Sequence, residues 1–174
     1  MILESIRSEY NRYKSLTELA LQQIEDTDLH KLIGETENSI AILVNHLSGN
    51  IKSRFTNFLT EDGEKPWRDR DSEFEEHSEV RDILMQKWNE AFDVLFEELD
   101  KLTDSDLEKK IKIRGNKLTV SDALTRSLAH LSYHVGQIIL MARLHVGSQW
   151  NSLSIPKEKS QAYNAYPTKE KKPK

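Results

Sequence analysis

A chain of 174 residues is long enough to close one hydrophobic core and short for two independent ones. Its 31% charged and 37% hydrophobic content suits amphipathic helices better than buried parallel strands, and the lack of cysteine excludes disulfides, thiolate metal sites and cysteine nucleophiles. The net charge of −4 comes with mixed signs and a single basic cluster, the terminal KEKKPK, so no nucleic-acid partner is expected, and no stretch approaches the ~20 apolar residues of a membrane span.

The opening MILESIRSEY sets Glu4, Arg7 and Glu9 among its apolar residues, unlike the apolar run of a signal peptide, so a cytoplasmic protein without a membrane partner is expected. Ile6, Tyr10, Tyr13, Leu16, Ala20 and Ile24 recur three or four apart, which predicts a first helix from Ile2 to about Gln23. A second is expected from near Thr36, whose hydroxyl would cap it, to before Asp62-Gly63. Its broad face is Ile40, Leu43, Val44, Leu47, Ile51, Phe55 and Phe58. EDGEKPWRDRD mixes Gly, Pro and charge, which predicts a loop of roughly a dozen residues, long enough for a crossover. Ser72 and Glu75 have capping-box spacing and predict the start of a third helix. That helix would bury Leu84, Trp88, Ala91, Leu95, Leu99 and Leu102 and stop at Thr103-Asp104.

Ile111 and Ile113 alternate with lysines before Arg114-Gly115-Asn116, and Leu118 and Val120 alternate after it, which predicts a short hairpin. The fourth helix is expected from near Thr119, with Asp122 in its first turn, through Leu124, Leu128, Leu131, Val135, Ile138 and Ala142 to about His145, terminated by Gly147. Beyond it, Trp150, Leu153, Ile155, Tyr163 and Tyr166 lie in a stretch without helical period, expected to dock irregularly and to end in a frayed basic terminus. The simplest closure is an all-α four-helix bundle over 1–149 with an irregular docked tail over 150–174.

His130 and His134, at i and i+4, would project from adjacent turns of one helix face and could share an ion. Two structural histidines at a helix interface fit the same spacing. Both lie at the margin of the apolar arc of Leu124, Leu131 and Ile138, and His46 lies beside the arc of the second helix, near Asn50 and Asn57, so the three could converge. Neutral imidazoles suit Zn, Ni, Cu or Fe, and three of them leave an open position. His30 and His77 read as solvated residues and His145 as a helix-end cation. Leu131 stands where a zincin has its glutamate, Ser127 and Leu131 replace the glutamates of di-iron Glu-x-x-His motifs, and no GxSxG, Walker or dinucleotide fingerprint occurs. Trp67, Arg68 and Arg70 in the loop either recognise an anionic or planar ligand or serve as an apolar plug and solvated ion-pair partners.

The stretches NHLSGNIKSRFTNFLTEDGEKPWRDRDSEF, AHLSYHVGQI and WNSLSIPKEKS together resemble the DinB-like superfamily, in its branch of small bacterial domains of unknown function, over nearly the whole chain. The resemblance implies an up-down-down-up four-helix bundle, a divalent metal such as zinc or nickel on His46, His130 and His134, and a homodimer. Characterised members of the superfamily include mycothiol-dependent isomerases and bacillithiol-type S-transferases. The expected function is therefore a metal-dependent enzyme transferring a low-molecular-weight thiol to a small-molecule electrophile, with Arg54, Trp67, Arg68, Tyr133 and Gln137 on the open side. The alternative is a non-enzymatic, stress-related, dimeric metal-binding module. The EDGEKPWRDRD loop and the SIP-containing tail depart from members of known activity, so the fold carries over better than the reaction.

Overall fold

The computed structural model describes residues 2–35, 38–75 and 78–165. Thr36, His77, Tyr166 and the KEKKPK terminus lie outside the described residues. Among those described, the chain is mostly helical, with helices α1 (Ile2–Leu21), α2 (Ile40–Phe55), α3 (Arg81–Asp100), α4 (Val120–Val146) and α5 (Ser160–Ala165). One small antiparallel sheet pairs β1 (Lys110–Ile113) with β2 (Asn116–Thr119). No described helix is long and apolar enough to cross a membrane.

The contacts between helices fix their directions. Arg7 of α1 reaches Asp100 and the Phe96 carbonyl, whereas Lys14 reaches Asn89, so α1 and α3 run antiparallel. Tyr10 meets Leu124, and Gln23 just past α1 meets Asn151 just past α4, so α1 and α4 run parallel. Lys87 bonds Asn45 and Glu90 bonds Lys52, which makes α2 and α3 parallel. A parallel pair requires the connection 56–80 to return along the length of α2.

The apolar stripes meet in one core, where Tyr10, Phe55, Trp88, Phe92, Leu95, Leu124 and Leu131 are almost wholly buried, each side chain stabilising by about 1.5–3 kcal/mol. The Tyr10 hydroxyl donates to the Leu124 carbonyl at 3.0 Å, and its ring meets Phe55 edge-on with centroids 6.0 Å apart. Burial raises the Tyr10 pKa, so the phenol stays neutral.

Three boundaries differ from expectation. Ser39 caps α2 by accepting from the Ile42 N–H, and α2 ends at Phe55 because Thr56 turns extended and Asn57 takes a positive φ of 51°. Phe58 is buried nonetheless, from the turn that follows. α3 starts at Arg81 and not near Ser72, because residues 72–74 form a single 3-10 turn packed on α2, with Glu73 buried. α4 begins and ends as read: Thr119 and Asp122 form a reciprocal capping box, and Gly147 follows at φ 63°. The tail docks through Trp150 and Leu153, and Asn151 exchanges two hydrogen bonds with the Gln23 side chain. Ile155 is exposed, and the short helix α5 interrupts a stretch expected to be irregular.

The hairpin turns through Arg114 and Gly115, both at positive φ, as a two-residue turn demands. The Asp62 carboxylate accepts from the backbone N–H groups of Arg114, Gly115 and Glu64, each at 2.8 Å. The Gly63 N–H donates to the Lys112 carbonyl at 2.8 Å, so the hairpin is fastened to the segment leaving α2.

Candidate metal centre

Because α2 and α4 pack with opposed directions, His46 on α2 comes to face His130 and His134, one turn apart on α4. One ligand atom of each lies within 4.8 Å of those of the other two. His46 Nε2 and His130 Nε2 are 3.3 Å apart, close to the ~3.4 Å that separates two imidazole nitrogens on one tetrahedral zinc at ~2.1 Å.

Each outer partner fixes a tautomer. The His46 Nδ1–H donates to Glu73 Oε2 at 2.8 Å, which leaves its Nε2 lone pair for the cluster. Glu73 is itself gripped by Arg68, whose Nε and Nη2 donate at 2.7 and 2.8 Å. Burial alone would raise the Glu73 carboxyl, but Arg68 and His46 outweigh it and hold it below the ordinary range. His134 donates from Nδ1 to Gln137 Oε1 at 2.7 Å. The Phe74 ring lies against His46 at 4.6 Å.

Burial, with His134 and His46 adding to it, pushes the His130 imidazole down to about 4. Burial likewise lowers His134, with Gln137 opposing. Both are therefore neutral at pH 7, the form in which imidazole binds metal. Neutral nitrogen donors, matched spacing and a carboxylate-oriented ring fit a divalent ion of the zinc or nickel type.

The three histidines line a cavity of about 270 Å³ whose apolar wall includes Phe55, Phe58 and Phe74. Of the residues expected on the open side, Arg54 lines it. Arg68 does not: its side chain is 2% exposed and committed to Glu73. Trp67 is exposed and lines a separate hollow with Arg68 and Lys52. Tyr133 is also exposed, its ring centroid 4.7 Å from that of His134, and Gln137 orients His134. Arg70, read in the loop as either recognising an anionic or planar ligand or serving as a solvated ion-pair partner, lines the cavity.

Glu73, Phe74, Arg114 and Arg126 were not anticipated as site residues. Nor was Gly49, where an added Cβ would come within 2.9 Å of the Glu73 carboxyl carbon and overlap its Oε1. The signal was present: glycine inside a strongly periodic helix, three residues from a candidate ligand, marks a close approach.

A family model described as "Protein of unknown function (DUF1572)" matches residues 1–159. No curated protein and no solved structure matches the chain.

Proposed function

Because the chain belongs to the DUF1572 family of proteins of unknown function, a membership that assigns no reaction, we propose from the site itself that it is a divalent-metal-dependent enzyme. In this reading it is an up-down-down-up, DinB-like four-helix bundle, a cytoplasmic homodimer, holding zinc or nickel on His46, His130 and His134. Its reaction is transfer of a low-molecular-weight thiol of the bacillithiol type to a small electrophile. The observation that carries the reading is the convergence of three ring nitrogens within 4.8 Å in the lining of a cavity, with His46 aimed by Glu73.

When bound, a divalent cation supplies Lewis-acid charge that favours thiolate over thiol at neutral pH, where a free thiol of pKa ~8.5 is mostly protonated. The thiolate sulfur forms a bond to the electrophilic carbon, the leaving group departs with its electron pair, and the thiol proton passes to solvent. The chain's own part is to hold three lone pairs convergent through Glu73, Arg68 and Gln137, and to shield the reacting atoms with Phe55, Phe58 and Phe74. The alternative is a non-enzymatic, stress-related, dimeric metal-binding module; the exposed Tyr133, Leu140 and Leu144 along one face of α4 suit a dimer in either reading.

Elemental analysis of untagged protein tests the first step. One metal per chain is expected, lost in His130→Ala and kept in His145→Ala; equal retention by both would overturn the ligand assignment. Metal-loaded protein should then accelerate conjugation of bacillithiol to monochlorobimane, with chloride as leaving group, whereas metal-free protein should not. No rate above background across bacterial thiols would leave the binding module as the reading.

A further inference from the structure

The same cavity is lined by four arginines from separate segments, Arg54 of α2, Arg70 of the α2–α3 connection, Arg114 of the hairpin turn and Arg126 of α4, of which the last three are exposed. Among the described residues no carboxylate lines it, although the chain as a whole carries a net charge of −4. Glu64 bridges Arg54 and Arg114, accepting at 3.0 Å from each. Arg70 stacks 5.1 Å from the Phe74 ring centroid, and its carboxylate neighbour Asp71 stands 3.9 Å away and almost fully in solvent. Arg126 is exposed on the first half of α4.

Guanidinium groups brought together around one hollow repel one another, and the low-dielectric wall of Phe55, Phe58 and Phe74 strengthens that repulsion. At Arg54 burial is the main cause of a lowered pKa, the charges of Arg68 and Arg114 add a smaller part, and Glu64 only partly restores it. An oxyanion relieves this arrangement, and the planar fork of arginine matches a carboxylate or phosphate.

We propose that the cavity binds small organic anions, with a carboxylate or phosphate held at its mouth by Arg70 and Arg126, a hydrophobic body against the phenylalanines, and the far end directed at the three histidines. Only the role of that far end rests on the metal-dependent reading; the anion site stands without it. The cavity thus selects the charged member among otherwise similar ligands.

Calorimetric titration of the untagged full-length protein, as purified and after treatment with EDTA, with benzoate, phenyl phosphate and neutral benzamide tests this. At low ionic strength at least one of the two anions should bind roughly tenfold or more tightly than benzamide in both preparations, and added salt should shrink the difference. The Arg70→Gln/Arg126→Gln variant should lose most of that preference, Arg70→Lys/Arg126→Lys should keep part of it, and both should retain the metal content of the wild type. A preference for phenyl phosphate alone points to a phosphorylated ligand, and for benzoate as well to a carboxylic acid. Benzamide binding as tightly as both anions, or a glutamine variant with undiminished preference, overturns the proposal. Because the preference is measured without metal, its loss is distinct from a failure of the histidines to hold an ion.

Discussion

The two helices that build the histidine cluster support it in different ways. On the α2 side, His46 is 3% exposed and tied to Glu73, which Arg68 locks through two further hydrogen bonds. On the α4 side, His130 and His134 are half-buried, and His134 has Gln137, a neighbour on its own helix, as its outer partner. One half is a buried anchor and the other an accessible rim. The glycines repeat the contrast: Gly49 on α2 leaves room for the Glu73 carboxylate, whereas nothing lies within 4 Å of where a Cβ would stand on Gly136 of α4. A site built this way fixes the position of an ion from one side and leaves the other free to meet a ligand.

The sharpest test of the anchor is Glu73→Gln. It keeps an acceptor for His46 but strands the Arg68 charge in a buried position, so it should cost about 3–5 kcal/mol in chemical denaturation. A loss below about 1 kcal/mol would show that the pair is not an anchor. Gly49→Ala comes next. Helix propensity alone would make it stabilising by up to about 1 kcal/mol, but displacement of Glu73 should weaken metal affinity roughly 10–100-fold in a competitive chelator titration. Unchanged affinity would mean that Glu73 does not orient His46.

The rim should be sensitive to acid. An unfolded histidine titrates near ~6.5, whereas folded His130 is held at about 4, so between these values the unfolded chain binds more protons. The melting temperature of metal-free protein should therefore fall as pH drops from about 6.5 to 4, and His130→Gln should flatten that slope. An equal slope in the variant would place the sensitivity elsewhere. The smallest effect is expected from Gly136→Ala, which adds a methyl group into open space and should raise stability by about 0.5–1 kcal/mol without changing metal affinity. A loss of affinity there would erase the contrast with Gly49.

Much of the helical layout was legible because it is written in local, periodic signals. Leu84, Trp88, Ala91, Leu95 and Leu99 are all buried at the expected spacing, and Thr119 with Asp122 caps α4. The three histidines could be placed together because each lies at the edge of an apolar arc. The α2–α3 connection was misread because its conformation is set by distant partners. Ser72 and Glu75 carry a helix-start pattern, yet Phe74 packs on the His46 ring and Glu73 pairs with Arg68 and His46, so tertiary contacts override the local signal. The arginine cluster was legible only in part, for a related reason: Arg54 was expected on the open side and Arg70 was read as one way to recognise an anion, but Arg114 and Arg126 are far from them in sequence, and the four come to line one cavity only after the connection doubles back and the hairpin is fastened to Asp62.

The returning connection also sets an order of events during synthesis. His46, Arg68 and Glu73 leave the ribosome within one short interval, so the anchor can form while α4 is still untranslated. The rim histidines follow after roughly 60 further residues, a delay of about 3–12 s at ~5–20 residues per second. A nascent chain therefore holds a single oriented imidazole, too few donors to retain zinc or nickel firmly, until α4 has emerged and packed. In the metal-dependent reading, capture of an ion is thereby deferred to the closing stage of folding, which would keep the growing chain from binding metal in a misassembled state.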